Sequence, residues 1–384
     1  MAIRILHLLS NWKWTERSEP AVELAIAQQP LGANVCFVCD RSPTNTSKAV
    51  APYAAARGVK SIVELHLPKH FCLSSIYSDV SRLRNFIQHF NPHIMHYHMS
   101  NAHLLGSLAT MPARAFQRVR SCYDPSGPKR DLRSRFLYGH HTDGLVVIGQ
   151  KAKARASKVY EFSDDRLLAA EPGVNLNRFT PGQKLPPVGK DFALGHENFV
   201  IGLVTRIRQS RRIDVALGAV HLLSERFPNL RLLIVGRGRK GAKEEVVDGP
   251  ARALGITDKV ILPGYCEGDR LVAAYRAMDV LVYPMPGTDK TCRTVREALA
   301  SGVPVIAPKI GFLPELLEDG INGRLIELSA QGLAGTLGEL IKNPERLGQM
   351  AANATEGAKE RFSTHRQARK VLAFYEKLLS GSTS

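Results

Sequence analysis

The chain has 384 residues, 44% of them hydrophobic and 23% charged, too many for one ordinary core and balanced for a soluble, globular protein of two domains. Fifty-two Lys and Arg against 35 Asp and Glu leave a net charge of +17. That field suits anionic partners (nucleotides, acidic glycans, anionic lipid, nucleic acid) without choosing among them, while the lack of an apolar run of about 18 residues argues against a membrane span.

The opening stretch, MAIRILHLLSNWKW, reads as a first strand and not as a signal peptide, since no small-residue cleavage site follows it. Strand-like runs then recur along the first half: NVCFVC, SIVELHL, HIMHYH, QRVRSC, GLVVIG and RLLAAEP. The only CxxC, Cys36 and Cys39, sits inside such a run, where residues three apart point to opposite faces. Buried free thiols and a cytoplasmic location fit better than a disulfide or a metal. A basic stretch follows, with Arg114, Arg118, Arg120, Lys129, Arg130, Arg133 and Arg135; it reads either as a docking face for an anionic membrane or acidic glycan or as a solvated surface.

The segment NRFTPGQKLPPVGKDFALGHEN is rich in Pro and Gly and without periodicity, a linker signature. The pattern restarts with FVIGLVT, LRLLIVG, KVILPG, DVLVYP, VPVIAP and GRLIEL, alternating with amphipathic segments such as RRIDVALGAVHLLSERF. Strand–helix alternation implies parallel sheets wound on both faces. The expected division is a Rossmann-like domain over 1–180, a linker over 181–198, a second Rossmann-like domain over 199–362, and a C-terminal helix and tail over 363–384. Ligands of such sheets bind at the carboxyl ends of the strands, so two facing sheets make an interdomain cleft the expected site.

In PGTDKTCRTVREALASGVPVIAP, Asp289 and Glu297 stand eight positions apart around a helix start, with Arg293 and Arg296 between them. If that stretch were fully helical the carboxylates would be about 12 Å apart along the axis, enough to bracket a diphosphate with a sugar at one end and a ribose at the other. The plain alternative is a surface Arg293–Glu297 pair worth about 0.3 kcal/mol. Arg206 follows the strand FVIGLVT, and Arg211 and Arg212 open the next helix, where guanidinium groups can clamp a diphosphate or simply face water. Gly236, Gly238 and Gly241 resemble a dinucleotide fingerprint only loosely.

These residues resemble glycosyltransferase family 4, the retaining GT-B enzymes. That family's Glu, seven residues, Glu and "GxPV" strand is matched by Asp289, Glu297 and ALASGVPVIAP; its Arg and, five residues on, Lys by Arg206 and Arg211; its interdomain segment by EPGVNLNRFTPG. The resemblance implies that Glu297 holds ribose hydroxyls and that Arg206 and Arg211 neutralise the diphosphate. It implies that Asp289 contacts the donor sugar with N–H groups of Lys290, Thr291 and Cys292, and that the base lies near Gly264 and Tyr265. HIMHYHMSN resembles the family's His-x-His strand end, so His98 would face the transferred sugar or the acceptor; the alternative is a satisfied strand-end histidine. The family's glycine-rich first loop is replaced by SNWKWTERSEP, which puts Asn11, Trp12 and Trp14, with Asp124, on the acceptor side. Asp289 is one methylene shorter than the family's Glu, and KTC replaces the glycines after it.

No Asp-x-Asp motif or spaced His/Cys cluster suits a metal, so no cofactor is expected. The expected function is metal-independent, retaining transfer from a nucleotide-sugar, UDP favoured over GDP or ADP, to a glycan or lipid-linked acceptor in polysaccharide or lipopolysaccharide synthesis. The location expected is cytoplasmic, peripheral to the inner membrane face. The alternatives are an inactive nucleotide-binding homologue and a basic nucleic-acid-binding protein; the latter lacks any module signature, so no nucleic acid is expected as a partner.

Overall fold

A computed structural model describes residues 2–381 other than 16–17, 43–48, 63–64, 68–72, 112–115, 183–191, 193 and 286–289, with the backbone alone at 61–62 and 73–75. The chain forms two compact units, Met1–Gly173 with Thr364–Ser384, and Val174–Ser363.

The first unit is built on a seven-stranded parallel sheet: β1 Arg4–Leu9, β2 Asn34–Cys39, β3 Lys60–Ile62, β4 Ile94–Tyr97, β5 Gln117–Cys122, β6 Gly144–Val147 and β7 Leu167–Ala169, in the order β3-β2-β1-β4-β5-β6-β7. The second has six parallel strands: β8 Phe199–Val204, β9 Leu230–Val235, β10 Val260–Gly264, β11 Val280–Val282, β12 Val305–Pro308 and β13 Gly323–Ile326, in the order β10-β9-β8-β11-β12-β13. Each expected strand run contains one of these strands, except that β3 begins at Lys60, one residue ahead of SIVELHL. Helices cover both faces of each sheet, so the inner strands are buried on both sides and read as unbroken apolar runs. Strand order reverses between β1 and β4 and between β8 and β11, the switch points where such sheets open a crevice at their carboxyl ends. Cys36 and Cys39 pack into different clusters on opposite faces of β2, and burial raises their thiols to about 11 and about 12.

The division differs from the sequence expectation in two places. The first unit ends at Gly173 rather than 180, because the next residues are held by the second unit: Val174 donates to the Phe362 carbonyl at 2.7 Å, and Phe179 packs edge-on against Tyr275 at 5.8 Å. The C-terminal helix Thr364–Ser380 is present, but it belongs to the first unit, where Val371, Phe374, Tyr375 and Leu378 join the core around β1, β2 and β4. An amphipathic stripe shows that a helix must be covered and not which sheet covers it. No helix among the described residues is long and apolar enough to cross a membrane.

Candidate functional site

In the second unit the chain leaves β8 at Val204 and runs past the end of β9. Gly236 and Gly238 make that approach feasible: a Cβ at Gly236, whose φ is +155°, would lie 1.7 Å from the Thr205 carbonyl oxygen, and one at Gly238 would lie 2.7 Å from that of Ile207. These glycines therefore serve backbone packing that fixes the Thr205–Ile207 segment and presents Arg206, which is exposed. Ile207 is anchored by its N–H to the Arg237 carbonyl at 3.1 Å. One turn later Arg211 is buried at 8% exposure, and its Nε has no hydrogen-bond partner among the described residues. Arg212, in the left-handed region at φ 55°, turns instead to Asp214 at 3.2 Å. Among the described residues neither Arg206 nor Arg211 is paired with a carboxylate, whereas Arg212 is neutralised locally by Asp214.

Beyond β11, Asp289 lies outside the described residues. Lys290 is exposed, Thr291 and Cys292 are buried, and Cys292 takes φ 52° as the residue preceding the helix Arg293–Ala300. A side chain in that region costs about 1 kcal/mol or more where glycine would cost little. Arg296, 1% exposed, fixes the turn: its Nε donates to the Thr291 carbonyl at 3.2 Å and its Nη2 to Thr291 Oγ1 at 3.2 Å. Glu297 is buried at 4% exposure. Its Oε1 lies 3.6 Å from Arg293 Nε, and its Oε2 accepts a 2.8 Å hydrogen bond from the Tyr275 hydroxyl. Burial, then the adjacent Glu297 carboxylate, raises the Tyr275 phenol far above its ordinary range, so Tyr275 stays a donor. The i,i+4 pair of the plain reading therefore exists, but its carboxylate is held in the interior by a third residue and is not a solvated surface group. At the end of β10, Gly264 has φ 84° and Tyr265 exposes a ring capped by the Arg237 guanidinium at 4.7 Å.

The first unit treats His98 differently from the expectation. The ring is 2% exposed, its Nε2 lies 2.8 Å from His7 Nδ1, and its Nδ1 lies 2.8 Å from the Tyr123 hydroxyl. His7 Nε2 in turn reaches Gln28 Oε1 at 2.8 Å. With Gln28 accepting, the bonds run one way: Tyr123 donates to His98, His98 to His7, His7 to Gln28. His96 binds the Tyr375 hydroxyl at 2.6 Å and Ser121 Oγ at 2.8 Å. His98 is thus corrected from a substrate-facing group to a satisfied member of a buried network. Burial lowers His7 to about 4 and holds His96 and His98 well below the usual imidazole range. The three histidines offer ligand atoms within 4.8 Å of one another, but His7 and His98 nitrogens sit 2.8 Å apart and each ring nitrogen already has a partner. A tetrahedral metal with bonds near 2.0 Å spreads its ligands to about 3.3 Å, so the residues fit a hydrogen-bond network and not a metal centre.

On the side expected to take the acceptor, Asn11 is tied into its own loop through Thr15 at 3.2 Å, the Trp12 carbonyl accepts from Val50 N–H at 2.8 Å, and the Trp14 ring packs at a tilt on Tyr53 at 3.7 Å. Trp14 is therefore packing for the first core, while half-buried Asp124 caps its turn by accepting from Ser126 N–H at 3.0 Å. Of the basic stretch, Arg114 lies outside the described residues and Arg118 and Arg120 are buried, so they leave the docking face; Lys129, Arg130, Arg133 and Arg135 are exposed. Tyr275 is not legible in the sequence, since it reads as a core aromatic at helical spacing and only its distance to Glu297 in three dimensions gives it a role, and the part of Arg296 in holding the Thr291 turn is likewise visible only in the structure.

Two family models divide the chain between them: "Glycosyltransferase Family 4" matches residues 21–178 and "Glycosyl transferases group 1" matches residues 190–357. The chain is similar to the D-inositol 3-phosphate glycosyltransferase of Segniliparus rotundus, 29% identical over 62% of this chain and 53% of that protein. It is equally similar to the one of Corynebacterium urealyticum, 29% identical over 68% and 63%. The matches thus span between half and two thirds of these curated relatives. Among solved structures it is similar to a glycosyltransferase from Rickettsia africae, TM-score 0.81 and 18% identity over 98% of this chain and 99% of that one. It is also similar to Anabaena Alr3699/HepE in complex with UDP-glucose, TM-score 0.76 and 17% identity over 97% and 99%. At such identities the structural likeness is one of fold.

Proposed function

This chain belongs to glycosyltransferase family 4, with its two Rossmann-like domains in the GT-B fold, and from that premise we propose that it transfers a sugar, with retention and without a metal, from a nucleotide diphosphate donor to a glycan or lipid-linked acceptor. The observation that carries the proposal is Arg211: a buried guanidinium beside the β8 carboxyl end, with Nε unpartnered among the described residues, where a diphosphate would satisfy it. Arg206 would add a second charge, Glu297 would accept from ribose hydroxyls, and Tyr265 would offer its exposed ring to the base. UDP is the favoured nucleotide, in keeping with the UDP-glucose bound by the Anabaena neighbour. Asp289 would hold the sugar, helped by N–H groups of Lys290 to Cys292.

In this reading the bond from the sugar's anomeric carbon to the phosphate oxygen breaks on the same face on which the acceptor oxygen bonds, and the acceptor proton passes to the departing phosphate. The buried state of His98, with both nitrogens engaged, supports that route, because the histidine that could have served as base is occupied. Arg206 and Arg211 would act most on the charge that grows on the leaving diphosphate, and their positive charge would do what a cation does elsewhere. The proposal extends to cell-surface polysaccharide or lipopolysaccharide synthesis at the cytoplasmic membrane face, supported by exposed Lys129, Arg130, Arg133 and Arg135 beside exposed Leu132.

The test is a titration of UDP, GDP and ADP against thermal stability, followed by sugar release from the matching donor in chelator. One nucleoside diphosphate should stabilise strongly and release should survive chelation. No response to any of the three would sink the proposal, binding without release would leave an inactive homologue, and release restored only by Mg²⁺ or Mn²⁺ would overturn the metal-free route.

A further inference from the structure

Two arginines stand two residues apart on β5, on the same face of the first sheet and both buried, Arg118 at 5% and Arg120 at 7% exposure. The fold treats them oppositely. Arg118 is fully provided for: its Nε and Nη2 donate to the two Asp143 oxygens at 3.0 and 3.1 Å, Nη2 also donates to the His140 carbonyl at 3.2 Å, and Nη1 reaches His141 Nδ1 at 3.0 Å. Among the described residues Arg120 has no ion pair, and its Nε and Nη1 have no hydrogen-bond partner. Its polar neighbour is the Tyr138 hydroxyl, which is neutral and is itself held above its ordinary range by burial. A guanidinium taken out of water without a counter-charge is costly, and the cost falls when an anion arrives.

The surroundings add positive charge. Arg133, on the helix Leu132–His140, donates from Nη2 to the Ser100 carbonyl at 3.0 Å and to Asn101 Oδ1 at 2.6 Å, which seats it at the N-terminal end of the helix Ser100–Ala109. Partial desolvation and then the like charge of Arg120 hold Arg133 below its ordinary range. In register Arg120 pairs with Tyr97, the last residue of β4, so it sits toward the carboxyl edge, where ligands of such sheets bind.

We infer that Arg120 and Arg133 form a binding site for a phosphoryl group carried by the acceptor. The inference rests on the reading that the first domain takes the acceptor, and it names what that acceptor bears. Two guanidinium groups, of which Arg133 alone feels a carboxylate, that of Asp131, suit a dianion better than a single negative charge. The burial of Arg120 selects a group that can enter the fold over a flat headgroup surface, so a free or sugar-borne phosphate is expected.

The experiment uses the full chain saturated with UDP, so that the second domain's arginines are occupied, and titrates inorganic phosphate by thermal shift and calorimetry. Wild type should bind phosphate, Arg120→Met should bind at least 10-fold more weakly, and Arg133→Met several-fold more weakly. Without phosphate, Arg120→Met should melt no lower than wild type, whereas Arg118→Met, which takes both guanidinium donors from Asp143, should melt lower. Arg211→Met should lose the UDP response and keep the phosphate response, so a failed donor site and a failed phosphate site give different results. Phosphate binding equal in wild type and Arg120→Met overturns the inference. If Arg120→Met folds poorly, Arg133→Met still reads the site from its exposed side, and an unchanged phosphate affinity there overturns it as well. Flotation with phosphatidylglycerol vesicles separates the two sources of phosphate: binding to vesicles that depends on Arg120, with no response to free phosphate, would assign the residue to a membrane and overturn the acceptor reading.

Discussion

Two buried polar groups near carboxyl edges, His98 in the first unit and Arg211 in the second, came from the same kind of sequence reasoning and meet opposite fates. Both are at least nine-tenths buried. His98 has a partner at each nitrogen, in a network that runs from Tyr123 through His7 to Gln28. Arg211 keeps an Nε with none among the described residues. Native interiors pair almost all their buried polar atoms, so a closed network specifies a core, while an open one marks a place completed by something else. The same contrast separates Arg118 from Arg120 within one strand. Burial and residue type are shared across each pair; satisfaction is what differs.

The strongest way to break this contrast is to remove the unsatisfied member. Arg211→Met should cut turnover by about 10²–10³-fold, the usual loss when a preorganised positive group leaves a charge-developing site. It should leave the stability of the ligand-free protein unchanged or slightly raised, because a desolvated charge goes with it. Equal losses of activity and stability would mean that Arg211 is scaffold, as His98 is.

Acid tests the satisfied member. His7 titrates near 4 when folded and near 6.5 when unfolded, with burial as the main cause. Between those values the unfolded chain binds the extra proton, so stability is complete above pH 6.5 and falls as the pH falls. By pH 5 the loss from His7 alone is about 2 kcal/mol. Asp40, half-buried and held up at about 6, works in the opposite direction, so the informative quantity is the difference between wild type and His7→Asn. Both tryptophans, Trp12 and Trp14, lie in the first unit, so tryptophan fluorescence during urea unfolding at pH 7.5 and pH 5 follows that unit. A wild-type pH slope no steeper than that of His7→Asn would contradict a buried neutral network.

The strands were legible because parallel strands covered on both faces must be apolar throughout, and VILPG or VIAP between Gly and Pro leaves little else to read. The site proposed for the donor was suggested in outline, since Arg206, Arg211 and Glu297 come after strands at spacings that a helix start can use. Partners distant in sequence were not. His7 and His98 are 91 residues apart and His96 and Tyr375 are 279 apart, so no local pattern could show that these histidines are consumed by one another and by the last helix. Arg118 and Arg120 read as surface charge because alternation in QRVRSC suggests a half-exposed strand, while the fold covers both its faces.

The smallest expected effect concerns Tyr275, which closes one side of the Glu297 carboxylate and leaves the other near Arg293. Tyr275→Phe keeps the ring that meets Phe179 edge-on and removes one hydroxyl. Glu297 Oε2 then loses the Tyr275 donor, and the carboxylate is held less firmly for a ribose. A net hydrogen bond of about 1–1.5 kcal/mol predicts UDP binding weakened by about 5- to 12-fold. Lost packing could imitate that number, so the discriminating measurement is a cycle with Glu297→Gln. If Tyr275 acts by positioning Glu297, the phenylalanine should cost little further affinity once the carboxylate is gone, because residues that share one interaction are not additive. A full Tyr275→Phe loss in the Glu297→Gln background would instead make Tyr275 a packing residue and not a positioning one.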